Sequence, residues 1–355
     1  MRHRHQPIQC ILPPHILDAI ARNGSEEQRK FALDALAVDQ SLRTLRAIRA
    51  PLSASVHPMA GAATCGQPHR TIFDAKHSQA QPPKGQIVRQ EGGPAVGDAE
   101  ADEAYDGLGA TYKLYCDVFS RDSIDNHGLP LNAYVHYGTN YDNAFWDSQE
   151  MVFGDGDGKL FNRFTISVDV IGHELTHGVT ENEAGLQYIS QSGALNESIS
   201  DVFGSLVKQH KLGQTANAAD WLIGAGLLAK GVKGVALRSM KAPGTAYDDP
   251  VLGKDPQPAN MSGYVHTISD NGGVHINSGI PNHAFYLVAV AIGGNAWEKA
   301  GHIWYETVRH PRLKPLTRFQ GFARITHQVA ARLYGAASSE AGAVADAWKQ
   351  VGITA

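Results

Sequence analysis

Three hundred and fifty-five residues, 43% hydrophobic and 19% charged, amount to roughly two or three domains of ordinary globular chain. That excludes a mini-scaffold, wholesale disorder and a collagen-like repeat. With 31 Lys and Arg against 35 Asp and Glu, a formal charge of -4, no basic field exists to hold nucleic acid or an anionic membrane.

Met1-Arg-His-Arg-His5 is basic, but no apolar run of about 7–15 residues and no small-residue cleavage site follow it, so no secretory signal is read there. No stretch of about 18 apolar residues offers to span a bilayer. Pro14 opens a short helix through Ile16, Leu17 and Ile20, closed by Asn23-Gly24. Ser25 and Gln28 make a capping box for a second helix, whose stripe of Phe31, Leu33, Leu36, Leu42 and Leu45 runs toward Ile48. Residues 1–50 thus read as a small helical unit. The small residues of 51–63, with Pro51 and Pro58, have the composition of an exposed linker and of an accessible cleavage site, and the mature chain is expected to start within 51–69.

From Arg70 to Gly158 short strand-like runs dominate, at Thr71-Ile-Phe, Gln86-Ile-Val, Ala133 to Tyr137 and Glu150 to Phe153. One helix, Asp98 to Phe119, interrupts them. Gly154-Asp-Gly-Asp-Gly158 reads as a tight turn, because an EF-hand loop would need a different acidic spacing and a Glu at its twelfth position. Beyond Ser167 helices dominate: Asp169 to Glu181, Ala194 to Lys211, Ile280 to Ile292, Ala296 to Arg309, Arg318 to Tyr334 and Ser338 to Val351. Cys10, Cys65 and Cys116 are odd in number and widely spread, so no disulfide framework is readable.

His173-Glu-Leu-Thr-His177 lies in an apolar helical run. Residues four apart share a helix face, so His173 and His177 can point at one ion with Glu174 beside it as a base for water. The chain has 17 His, yet a shuffled chain would contain only roughly 0.03 such motifs. Glu197 and Asp201, four apart on the next helix, supply a third ligand and an acceptor for an imidazole's outer N–H, or else simply a solvated acidic face. In Ser269-Asp-Asn-Gly-Gly-Val-His-Ile-Asn-Ser-Gly279, His275 follows a glycine-forced loop; with Asp270 to orient it, it could donate to an oxyanion, or be a structural turn histidine.

These motifs, with Asn143-Ala-Phe-Trp146, resemble the thermolysin-like neutral metallopeptidases from about Arg70 onward, and Pro13-Pro14-His-Ile-Leu17 resembles their short-propeptide, protealysin-like branch. The resemblance implies an α+β, zincin-type, two-lobed protease: a helical propeptide over 1–50, a β-rich lobe over 70–182 that includes the zinc-motif helix, and an α-helical lobe over 183–355. It implies one zinc ion on His173, His177 and Glu197, Glu174 as general base and proton shuttle, Asp201 orienting His173, and Asn196 also standing behind the ligands. Tyr188 and His275 would hold the oxyanion, with Asp270 fixing the His275 ring. Asn143, the Ala144 carbonyl and Arg238 would bind substrate backbone. Phe161, Phe164, Val170 and Leu237 would line an apolar leaving-side pocket, so the expected activity is a zinc endopeptidase, made latent, that cuts before Leu, Phe or similar residues; the aromatic Phe164 is expected to narrow that pocket.

Where the family's double calcium site needs acidic residues, this chain has Lys208, Leu222 and Ala225, with only Asp169 and Asp220 left, so calcium is expected to be dispensable. Pro13-Pro14-His15 is the expected plug of the cleft, against the alternatives of an accessory helical hairpin and of Cys10 as a thiolate zinc ligand. A metal-stabilised binding module would not need Glu174 or His275, and nothing in the sequence would capture a free terminus as an exopeptidase must. The expected protein is a monomer, acting on proteins or peptides and inhibited by its own propeptide. It is expected outside the cell without an evident signal, a cytoplasmic store being the alternative.

Overall fold

The computed structural model describes residues 9–49, 65–80 and 84–354. Its first elements are a short strand β1 (Gln9–Cys10) and two helices, α1 (Pro14–Asn23) and α2 (Glu26–Arg49). Pro14 stands in the first turn of α1, where its missing N–H costs nothing. Ser25 and Gln28 form the reciprocal cap that starts α2. Residues 51–63, the expected linker, lie outside the described residues.

Next come β2 (Arg70–Asp74), β3 (Gln86–Gln90), α3 (Ala99–Phe119), β4 (Leu131–Val135), β5 (Ala144–Trp146) and β6 (Glu150–Phe153). Their sheet has the order β1-β5-β6-β4-β2-β3, so β1, from the amino-terminal unit, is its added edge strand, antiparallel to β5. Asp98 caps α3 by accepting from Ala101 N–H at 3.1 Å. The strand expected over Ala133 to Tyr137 stops at Val135, because His136 turns left-handed with φ 54°. Its ring bonds Asp155 through Nδ1 and Asp98 through Nε2. Hydrogen bonding to Asp155 is the main cause that lifts His136 to about 10. The imidazolium therefore supplies the positive charge beside Asp98 and Glu100, fastening the start of α3 to the turn after β6.

The turn expected over Gly154 to Gly158 falls later: 154–157 carry no turn, and the bend is at 158–160, where the Asp157 carboxylate accepts backbone N–H groups of Lys159, Leu160 and Phe161 at 2.7–3.1 Å. Cys65 and Cys116 form a disulfide that staples the chain just past the linker to α3, a pairing their odd count concealed.

The rest is mainly helical: α4 (Val168–Glu183), α5 (Ser190–Leu212), then, after the two-residue strands β7 (Leu222–Ile223) and β8 (Arg238–Ser239), α6 (Asp270–Asn277), α7 (Gly279–Ile292), α8 (Lys299–Val308), α9 (Phe319–Tyr334) and α10 (Ser339–Gln350). α4 is buried all round from Asp169 to Thr180, the mark of a central helix. Its close approach to α5 depends on Gly172 and Gly204: a Cβ on Gly204 would stand 2.4 Å from the Asp169 carbonyl oxygen, and one on Gly172 would stand 3.1 Å from the Gly204 Cα. That approach lets side chains of the two helices meet at one point.

Candidate metal centre and cleft

His173 and His177, one turn apart on buried α4, put their Nε2 atoms 3.0 Å from each other. Glu197 on α5 faces both, with carboxylate oxygens 3.5 Å from His173 Nε2 and 3.6 Å from His177 Nε2. Tetrahedral zinc with bonds of about 2.0–2.2 Å wants donors about 3.3–3.5 Å apart; the two Nε2 atoms stand somewhat closer than this, and one Glu197 oxygen faces each ring at about that spacing. Glu197 Oε2 is buried and accepts no hydrogen bond, a costly arrangement unless a cation completes it. Among the described residues these three form a buried group able to hold a metal; Cys10, weighed as a thiolate ligand, is buried beside Phe145 and Tyr137 and is not part of it.

The outer nitrogens of the two rings are held as well. His173 Nδ1 lies 2.8 Å from Asp201 Oδ1; His177 Nδ1 lies 2.8 Å from Asn196 Oδ1 and 2.9 Å from Ser200 Oγ. Such contacts fix ring orientation and leave Nε2 as the donor to a metal. Burial alone would raise the Asp201 carboxyl, but the Arg238 guanidinium and His173 hold it well below the usual carboxylate range. Arg238 grips it twice, Nε to Oδ2 at 2.8 Å and Nη2 to Oδ1 at 2.7 Å, and the Asn282 amide adds a third donor at 2.8 Å.

Glu174 stands between the ligands, and its Oε2 accepts the Trp146 N–H of β5 at 3.2 Å. Across the cleft, α6 opens on a kinked first turn that runs through left-handed Asn271, Gly272 and Gly273, with φ of 51°, 87° and 74°. It returns the Asp270 carboxylate onto His275, Oδ1 on the ring Nδ1 at 2.7 Å and Oδ2 on the backbone N–H at 2.8 Å. His275 Nε2 then lies 3.1 Å from the Tyr188 hydroxyl, which also donates to Glu197.

The cleft between holds the chain's own residues 9–12. Beyond the β1 pairing, Ile11 N–H donates to the Ala144 carbonyl at 3.2 Å, Leu12 N–H donates to Asn143 Oδ1 at 3.1 Å, and Arg238 Nη1 donates to the Ile11 carbonyl at 3.3 Å. Ile11 and Leu12 are buried in the same apolar cluster as Phe161, Phe164, Val170 and Leu237. The expected plug, Pro13-Pro14-His15, lies one step further on: prolines have no N–H for a ladder, and here they turn the chain into α1. His15 Nε2 meets the Tyr247 hydroxyl at 3.0 Å while its buried Nδ1 has no partner. Burial, reinforced by His275 and Arg238 against Asp270, lowers this ring to about 4.

His173, His177, Glu197, Asp201, Asn196, Glu174, Tyr188, Asp270, His275, Asn143, Ala144 and Arg238 are thus joined by hydrogen bonds and close contacts around one cleft, while Phe161, Phe164, Val170 and Leu237 are buried in the apolar cluster that also holds Ile11 and Leu12. Missed were the Trp146 N–H, Ser200, Asn282 and the strand role of residues 9–12. Trp146 and Ser200 lie inside quoted motifs, but a backbone donor carries no side-chain signature.

The thermolysin metallopeptidase catalytic domain matches residues 56–181, and the α-helical domain of the same family matches residues 184–353. An extracellular metalloprotease of Pectobacterium carotovorum subsp. carotovorum is 54% identical over 353 residues, 99% of this chain and 98% of that one. Protease PrtS of Photorhabdus sp. (strain Az29) is 51% identical, covering 99% of this chain and 94% of its own. The solved precursor of protealysin, a metalloproteinase from Serratia proteamaculans, superposes with a TM-score of 0.87 at 53% identity, over 98% of this chain and 100% of that one.

Proposed function

The chain belongs to the thermolysin family of metallopeptidases, and from that premise we propose a zinc endopeptidase held latent by its own residues 9–12, which cuts before bulky apolar residues with Glu174 as the base. The observation that carries this reading is the strand of the chain itself, hydrogen-bonded to Ala144, Asn143 and Arg238 beside the convergent His173, His177 and Glu197.

His173, His177 and Glu197 would hold the zinc ion, which would supply the Lewis acidity that activates a water and polarises the scissile carbonyl. The protein's residues do the rest. Asn143, Ala144 and Arg238 align the peptide antiparallel to β5, and Phe161, Phe164, Val170 and Leu237 receive the first side chain after the scissile bond; Ile11 of the precursor is buried in the same apolar cluster. Glu174, held by Trp146, takes the proton from the attacking water and passes it to the departing amine. His275 and Tyr188 donate to the oxygen that gains charge, with Asp270 keeping the ring turned toward it. The Lys208 ammonium lies 2.7 Å from Asp169 and 2.8 Å from Asp220, so a protein cation fills the place of calcium and calcium is not required.

Residues 1 to about 50 are the propeptide on this reading, removed at the linker. The proposed work is outside the cell, on proteins and peptides; the extracellular metalloprotease among the relatives supports that location. The test is the intact mass of the full chain incubated with zinc beside Glu174→Ala. Loss of about fifty residues from the wild type alone supports the propeptide, its boundary and the role of Glu174 together; equal shortening of both assigns the cut to another protease.

A further inference from the structure

Next to His275 the surface is apolar across three loops. Ile268 is 99% exposed, Leu316 61% and Ile189 50%. Single exposed apolar residues are ordinary, whereas a contiguous group marks an interaction site. The loops of Ile189 and Leu316 are bonded, Gln187 N–H donating to the Pro315 carbonyl at 2.8 Å and Phe319 N–H to the Gln191 side chain at 3.0 Å, and the loop of Ile268 packs against the first so closely that a Cβ on Gly272 would lie 2.6 Å from the Ser190 hydroxyl. Ile268 edges an open recess of about 580 Å³, lined also by Ser190, Tyr264, His266, Thr267 and Gly272.

The chain ties the rim of the recess to the cleft at two points. Ile189 directly follows Tyr188, whose hydroxyl meets His275 and Glu197. Ile268 stands two residues before Asp270, which fixes the His275 ring. The direction of the bound chain completes the argument. In β1, Ile11 bonds Ala144 and Gln9 lies opposite Trp146, so the part of a peptide before the scissile bond runs out past Trp146 and is not taken up by Asn143 or Arg238.

Resting on the peptidase reading, we propose that Ile189, Ile268 and Leu316 form an accessory docking surface for an apolar side chain on the amino side of the scissile bond of an extended substrate. An extended chain advances about 3.3 Å per residue, so side chains three to five residues before that bond stand about 10–16 Å from it and are the ones to vary. The surface favours unfolded apolar polypeptide over short or polar peptides, and it does so without touching the reacting groups.

The test uses enzyme activated from the full chain and peptides that are identical around the scissile bond, with Leu or Ser at the third, fourth or fifth position before it. The wild type is expected to show a kcat/KM advantage of about fivefold or more for Leu at one of these positions, and Ile189→Ser/Ile268→Ser is expected to abolish that ratio. Both substitutions fall on exposed positions, so folding is preserved. No Leu advantage, or an advantage that survives in the double variant, overturns the proposal. Weaker latency of the precursor variant with the ratio unchanged gives the surface to the chain's own amino-terminal residues instead; a changed sedimentation coefficient with the ratio unchanged gives it to a second copy. Absence of turnover on every peptide would instead count against the peptidase reading itself.

Discussion

Arg238 clasps the Asp201 carboxylate through two nitrogens, at 2.8 and 2.7 Å, while its third reaches the Ile11 carbonyl at 3.3 Å. One buried charge pair thereby joins the support of His173 to the strand lying in the cleft. Arg238→Lys keeps the charge but loses the fork. It is expected to lower kcat/KM about tenfold or more, mainly through KM, whereas Arg238→Leu, which strands the Asp201 charge, is expected to cost about 3–5 kcal/mol of stability. Peptide kinetics and thermal unfolding check the two effects. Unchanged kinetics in Arg238→Lys would remove Arg238 from the substrate path.

Ile11 is buried in the apolar cluster that the peptidase reading gives to a substrate side chain. Placing a carboxylate there costs several kcal/mol unless it is paired. Ile11→Asp in the full chain is therefore expected to release the cleft and raise the peptidase activity of the unprocessed precursor at least about tenfold. A precursor as latent as the wild type would show that residues 9–12 are not the inhibitory element.

His15 is neutral where it is docked, because burial lowers it to about 4 from an ordinary 6.5. The undocked ring binds a proton more readily, so docking is at full strength above about pH 6.5 and weakens as pH falls from there toward 4. Hydrogen exchange of residues 9–23 in the Glu174→Ala precursor reads this without processing. Protection should decline over that interval in His15 and stay flat in His15→Phe; equal decline in both would assign the effect to other groups.

Lys208 sits between Asp169 and Asp220, with its Nζ also 2.6 Å from the Leu222 carbonyl. Burial works against its charge, but Asp169 outweighs it and keeps the ammonium protonated. Millimolar calcium or a calcium chelator should leave the unfolding midpoint of the wild type unchanged. Lys208→Met, which leaves Asp169 buried and unpaired, is expected to lose about 3 kcal/mol. A large rise of the wild-type midpoint with calcium would contradict this account.

The helices were legible because hydrophobic period and caps are local: Asp98, Pro14 and Ser25 mark their element starts in the sequence as in the fold. The centre was legible because His173, His177 and Glu197 carry their chemistry in their side chains. Helix starts were less so; α5 begins at Ser190, not Ala194, since Gly193 looks like a breaker in sequence but is needed against Tyr188 and Val274, where a Cβ would stand 2.5 Å from the valine. The two-residue strands and the pairing of Gln9 and Cys10 with β5 depend on a partner far along the chain, which no local pattern announces. The Cys65–Cys116 bond was hidden for the same reason.

The central claim is that Glu174 performs chemistry at a zinc centre it does not help to build, and its oxygen is indeed bonded to Trp146 N–H and absent from the ligand group. The most direct measurement takes wild type and Glu174→Ala, each opened at the linker by an external protease. It records zinc content together with cleavage of a peptide carrying one Leu among polar residues. The account predicts one zinc per chain in both, a cut before Leu by the wild type, and a loss of about 10²-fold or more in the variant. Zinc-loaded wild type that leaves the peptide whole, or a variant that cuts it equally fast, would contradict it.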